Sequence, residues 1–123
     1  MATHQTPPAI EVDGLVKTYG ALPAVDEVSF TVGQGEFFGI LGPNGAGKTT
    51  TLELIEGLRE PDAGQICLLG ESPWPRNPRL LPRIGVQLQA GAFFDKLGAR
   101  EQLETFAAPY GVPPSRVTEL LKL

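Results

Sequence analysis

The chain has 123 residues, 41% of them hydrophobic and 20% charged, with a formal net charge of −4. That is the make-up of one globular domain with one core rather than a disordered or fibrous chain. The acidic balance leaves no overall basic field for nucleic acid or for an anionic membrane surface, and the single cysteine, Cys67, excludes an internal disulfide and a cysteine-rich metal site.

Residues 1–9, within "MATHQTPPAI", have no basic segment followed by an apolar stretch, so they read as a frayed leader rather than a secretory signal. Nowhere do about 18 apolar residues run uninterrupted, so no membrane-spanning segment is expected. Ile10–Val12 and Leu15–Tyr19 are rich in β-formers, and Val25–Val32 alternates with Val28, Phe30 and Val32 on one face. Two antiparallel strands are predicted. After the turn residues "GQGE" (33–36), "FFGIL" (37–41) is short and continuously apolar, which predicts a strand buried on both faces.

From Lys48, "KTTTLELIEGL" predicts a helix with Leu54, Ile55 and Leu58 on one face and Glu53 and Glu56 on the other, ended by Gly57 and Pro61. A strand over Gln65–Leu69 follows, in which the apolar neighbours of Cys67 predict a small core residue. The connector "SPWPRNPRLLPR" (72–83) is irregular, its arginines reading as a solvated basic loop. Ile84–Leu88 predicts another short strand. "REQLETFAAPYG" (100–111) has helical spacing at Leu103, Phe106 and Ala107, and Ser115 is the predicted cap of a last helix with Val117, Leu120 and Leu121 on one stripe.

The chemistry concentrates in Gly42-Pro43-Asn44-Gly45-Ala46-Gly47-Lys48-Thr49, which satisfies G-x-x-x-x-G-K-[ST]. Glycines allow a tight loop whose successive backbone N–H groups, over Asn44, Gly45, Ala46, Gly47, Lys48, Thr49 and Thr50, turn inward on an anion. The following helix points its positive end at the same place. A lysine at a helix N-terminus and three successive threonines are poor choices for the helix itself, so function, not folding, is the expected reason for them. In this arrangement Lys48 reaches the β- and γ-phosphates of a nucleotide and the Thr49 hydroxyl ligates Mg²⁺.

On these residues a family resemblance stands out. "LGPNGAGKTTTLELIEGLREPDAGQI" is similar to the Walker A region of the ATP-binding subunits of ABC transporters. Upstream, "LVKTYG" (15–20) resembles the family's adenine-stacking stretch, which implies that Tyr19 stacks on the base. Downstream, "RIGVQLQ" (83–89) resembles the entry to the Q-loop, which implies a glutamine that meets metal and attacking water, a catalytic partner to Lys48 and a metal ligand beside Thr49; counting from Ile84-Gly85 favours Gln89 over Gln87, which falls on the predicted strand. "FDKLGAREQLETFAAPYG" (94–111) resembles the start of the helical subdomain in drug and polysaccharide exporters, with Gly98-Ala99 where Thr-Val is more usual.

The resemblance implies an α/β fold, a P-loop NTPase core with an N-terminal antiparallel β-subdomain. The β-subdomain and core extend to about residue 91, and residues 92–123 begin the helical subdomain, where the chain is truncated. It implies ATP and Mg²⁺ as cofactors, and an ATPase that couples hydrolysis to transport. It also implies transmembrane permease subunits and a second ATP-binding subunit as partners, and a cytoplasmic location on the inner face of the membrane. The family's Walker B, signature and switch-histidine motifs are not found in this sequence, so the expectation is binding without efficient hydrolysis by these residues alone. Another P-loop enzyme, or a short non-hydrolysing nucleotide-binding or regulatory module, are the alternatives.

Overall fold

The computed structural model describes residues 6–43, 45–87 and 95–123. They fall into two units, one ending at Ile84 and one running from Gly85 to Leu123.

The first unit is built on a three-stranded antiparallel sheet of order β2-β1-β3. Its strands are β1, Ile10–Tyr19, β2, Leu22–Val32, and β3, Ala63–Leu68. A two-residue turn joins β1 to β2, with Tyr19 paired to Leu22. Gly20 takes φ +63° at its first central position, the glycine-first pattern that suits the twist of a hairpin.

Strict alternation along β2 would put Val25 and Val28 on opposite faces. Both turn toward the core, because two register pairs, Leu15 with Val28 and Lys17 with Val25, enclose one extra β2 residue. Glu27, at φ +49°, lies in that bulge.

Helix α1, Lys48–Ile55, covers one face of this sheet. Leu54 and Ile55 pack with Val12, Leu15, Val25, Ile66, Leu68 and Leu80, and Leu54 and Leu15 are wholly buried. Each such side chain removed from water contributes about 1.5–3 kcal/mol. The helix stops sooner than its apolar spacing predicts. The amide of Gly57 donates to Leu54 and that of Leu58 to Glu53, a Schellman ending with Gly57 at φ +79°. Leu58 therefore leaves the predicted face and is exposed. Cys67 alternates with Ile66 and Leu68 and is only half-buried. Leu80, from the irregular connector, reaches the core, while Arg76, Arg79 and Arg83 stay exposed.

Two predicted strands do not form. Phe37–Leu41 has no strand structure, and Phe37 and Leu41 are fully exposed. A strand buried on both faces needs hydrogen-bonded neighbours, and no described strand pairs with this segment. The ring of Phe38 is stacked on Phe30 with centroids 4.9 Å apart. Residues 84–87 are likewise irregular, and Leu88, the last residue of that predicted strand, lies outside the described residues.

The second unit contains α2, Ala99–Ala107, and α3, Pro114–Leu121, which pack on each other. Gly98 is the N-cap of α2 and, having no side chain, makes no side-chain cap. The predicted cap Ser115 is instead inside α3: Pro113 is the N-cap and Pro114 takes the first helical position, where its fixed φ and missing N–H cost nothing. Of the predicted stripe, Val117 is buried, while Leu120 and Leu121 are partly exposed.

Candidate functional site

Tyr19, Ala24, Gly45, Gly47, Lys48, Thr49 and Thr50 line one open cleft of about 400 Å³ in the first unit. The sheet supplies one wall, since Tyr19 ends β1 and Ala24 lies near the start of β2. The glycine-rich loop and the first turn of α1 supply the other. Six of the predicted site residues, Tyr19, Gly45, Gly47, Lys48, Thr49 and Thr50, are thus brought together across some 30 positions of sequence. Ala46 lines an adjacent groove together with Lys48. Asn44 and Gln89 lie outside the described residues.

Backbone geometry shapes the loop. Gly45 and Gly47 have φ +85° and +86°, a left-handed region that costs other residues strain. The amide of Ala46 donates to Pro43 at 3.2 Å and that of Thr51 to Gly47 at 2.9 Å, closing the turn into the helix. Lys48 lies across the loop, its Nζ donating to the carbonyl of Gly42. No acidic residue occupies the first turn of α1, so the partial positive charge of the helix end is not answered from within the helix.

The three threonines have different surroundings. Thr51 is buried, and its hydroxyl donates to the Gly47 carbonyl at 2.8 Å, so its place is explained by packing and by satisfying that carbonyl. Thr49 and Thr50 line the cleft. The sequence reading expects function rather than folding behind all three, and two of them, Thr49 and Thr50, lie in the cleft while Thr51 is explained by packing.

Around Tyr19, three groups went unnoticed in the sequence. Asp62 accepts from the Thr18 amide at 2.7 Å, from the Thr18 hydroxyl at 3.0 Å and from Lys17 at 3.4 Å. These bonds, the Thr18 amide foremost, hold its carboxyl below the ordinary range. Arg59 Cζ stands 5.7 Å and Lys17 Nζ 5.8 Å from the centre of the Tyr19 ring. Arg59 is tied in turn to Glu53 of α1, whose hydrogen bond and charge keep the guanidinium still more firmly protonated. The loop "GLREPDAG" between α1 and β3 carried Arg59 and Asp62 in plain view, but nothing in the spacing pointed them at Tyr19.

Chemically, the cleft offers a ring at one end and backbone amides, a lysine and hydroxyls at the other. That suits an anionic phosphate chain attached to a flat apolar base. A divalent cation that keeps much of its water and shares phosphate oxygens needs few protein oxygens, and the Thr49 hydroxyl is of the right kind. Among the described residues no group of three or more His, Cys, Asp or Glu could form an all-protein metal cage.

Fold and loop together define the N-terminal part of a P-loop nucleotide-binding domain. The sequence profile of the family described as ABC transporter matches residues 25–122, and the chain belongs to that family. It is 48% identical over 105 residues to a Nod factor export ATP-binding protein I of Paraburkholderia xenovorans, covering 85% of this chain and 34% of that protein. It is 37% identical over 115 residues to the bacitracin transport ATP-binding protein BcrA of Bacillus licheniformis, covering 93% and 38%. The structure of an ATP-binding subunit of an ABC transporter superposes with a TM-score of 0.73 at 30% identity, over 85% of this chain and 44% of that one. The ADP conformation of an ATP-binding cassette of an ABC transporter gives a TM-score of 0.56 at 31% identity, over 63% and 31%. The chain spans about a third of the length of these curated relatives. Among the described residues no helix is long and apolar enough to cross a membrane.

Proposed function

We propose that these residues form the ATP-binding part of an ABC-type ATPase which in its whole form couples ATP hydrolysis to export through transmembrane permease subunits. One observation carries the reading: Tyr19, from the end of a strand, shares a single cleft with Gly45, Gly47, Lys48, Thr49 and Thr50. A phosphate loop alone serves many P-loop enzymes, whereas a ring opposite the loop suits a nucleoside triphosphate held by its base as well as by its phosphates.

In this reading the amides of residues 44–50 and Lys48 hold the β- and γ-phosphates, and Thr49 and Gln89 hold Mg²⁺. Bound Mg²⁺ would neutralise charge building on the phosphate oxygens. Phosphoryl transfer also needs a group to orient or deprotonate the attacking water. No carboxylate lines the cleft among the described residues, so these 123 residues bind ATP with Mg²⁺ and turn it over negligibly. Residues 92–123 begin the helical subdomain, and the whole protein pairs with a second ATP-binding subunit on the cytoplasmic side of the membrane. The exporting relatives support the direction of transport.

The test is equilibrium binding of Mg²⁺-ATP and of GTP to the 123-residue chain and to Lys48→Ala. ATP binding weakened about 10- to 100-fold by loss of the charged hydrogen bonds supports the reading. GTP bound in clear preference to ATP, or affinity indifferent to Lys48, would overturn it.

A further inference from the structure

Tyr19 is about half exposed at the end of β1. Two cations stand against that ring, and both are anchored. Lys17 Nζ donates to the Glu60 carbonyl at 2.8 Å and pairs with Asp62. Arg59 Nε donates to Glu53 Oε2. Both ring distances, 5.7 Å and 5.8 Å, lie within the range of cation–π attraction, and a planar guanidinium is well suited to it. Glu53 belongs to α1, the helix whose first turn carries Lys48, Thr49 and Thr50. One rigid element therefore bears the phosphate-facing residues at its start and, one turn further on, the carboxylate that holds the cation on the ring.

We infer that Arg59, held by Glu53, is a positioning residue for the base of a bound purine nucleotide: it fixes the Tyr19 ring relative to α1 and so sets the span between the base and phosphate ends of the cleft. The inference rests on the reading of Tyr19 as the base platform. It makes Arg59 act through Tyr19 rather than on the nucleotide. A ring already fixed loses less freedom when a base stacks on it, and that gain is realised only by ligands that carry a base.

The experiment compares ATP with inorganic tripolyphosphate, which has phosphates and no base, on the 123-residue chain. Its variants are Tyr19→Leu, Arg59→Ala, Glu53→Gln and the Tyr19→Leu/Arg59→Ala pair, each checked by thermal melting. Arg59→Ala is expected to weaken ATP about two- to fivefold, to leave tripolyphosphate unchanged, and to add nothing once Tyr19 is Leu. Glu53→Gln, which keeps the shape of the side chain, is expected to act in the same direction and serves where Arg59→Ala melts early. Equal losses for ATP and tripolyphosphate would make Arg59 a phosphate contact and overturn the inference, as would an undiminished Arg59 effect in the Tyr19→Leu background. A Tyr19→Leu chain that loses ATP affinity while Arg59→Ala does not would overturn the positioning role alone. If Tyr19→Leu itself shows no loss selective for ATP, the platform reading falls and the inference with it.

Discussion

A β-carbon added to Gly47 would lie 2.0 Å from the carbonyl oxygen of Ala24. Strand β2 thus runs directly against the phosphate loop, and the sheet and the loop fix each other's position. Gly45 has nearly the same left-handed backbone, but a β-carbon there would meet nothing within 4 Å. Gly45→Ala is expected to cost only the left-handed strain, about 1–2 kcal/mol. Gly47→Ala must add a displacement of backbone and is expected to cost clearly more and to open the cleft. Thermal or urea unfolding of the two variants decides it, and equal losses would mean that the Ala24 contact does not constrain the loop.

Thr49 and Thr51, two residues apart, are expected to separate binding from folding. The Thr51 hydroxyl is buried against Gly47, whose carbonyl already accepts the Thr51 amide. Thr51→Val keeps the shape and removes that bond, at an expected cost of about 0.5–1.5 kcal/mol in unfolding. Thr49 is exposed at the cleft. Thr49→Val is expected to leave unfolding nearly unchanged and to weaken ATP binding only when Mg²⁺ is present. Titrations with ATP in Mg²⁺ and in EDTA, set beside unfolding curves, make the comparison, and a reversed pattern would exchange the two roles.

What could be read in advance followed how local its cause is. The hairpin, α1 and β3 depend on alternation, helical spacing and turn glycines within a few residues, and they form where those signals lie. The phosphate loop is contiguous, so its residues were legible together. Tyr19 joined them through the family resemblance, since spacing alone does not relate residue 19 to residue 48. The failures are of the opposite kind. Phe37–Leu41 has the composition of a buried strand, but a strand exists only where neighbours pair with it. Glu27 moves Val25 and Val28 onto one face by a bulge that alternation cannot foresee. Arg59 reaches Tyr19 because α1 ends at Gly57, a contact set by three dimensions rather than by pattern.

The Asp62 tie predicts an acid response. The Thr18 amide, then the Thr18 hydroxyl and more weakly Lys17, stabilise the Asp62 carboxylate and lower its pKa beneath the ordinary 3.8. A group depressed in the folded state adds stability that is fully present above its unfolded value and is lost as pH falls through the folded one. Wild type is therefore expected to lose more stability than Asp62→Asn on acidification below about 3.8. Glu56 works the other way: burial, then the nearby Glu53, raises it above 4.5. Its ionisation in the folded chain is disfavoured, so Glu56→Gln is expected to raise stability at neutral pH and to flatten the change just above 4.5. Urea unfolding of both variants across pH 3 to 7 reads the two slopes, and identical slopes to wild type would remove both assignments.

Leu54 and Leu41 are the same residue type in opposite environments, 0% and 95% exposed. Leu54 packs between the sheet and Leu80, so Leu54→Ala is expected to cost about 2–5 kcal/mol, the transfer of the side chain plus the cavity it leaves. Leu41 lies in the segment that forms no strand, together with the exposed Phe37. Removing its side chain should change unfolding by less than about 0.5 kcal/mol. Its effect should appear instead in association, because neighbouring exposed apolar groups bring molecules together. Leu41→Ser is expected to shift sedimentation of the 123-residue chain toward monomer at unchanged stability. If Leu41→Ser destabilised the chain as strongly as Leu54→Ala, residues 37–41 would have to be part of the core in solution.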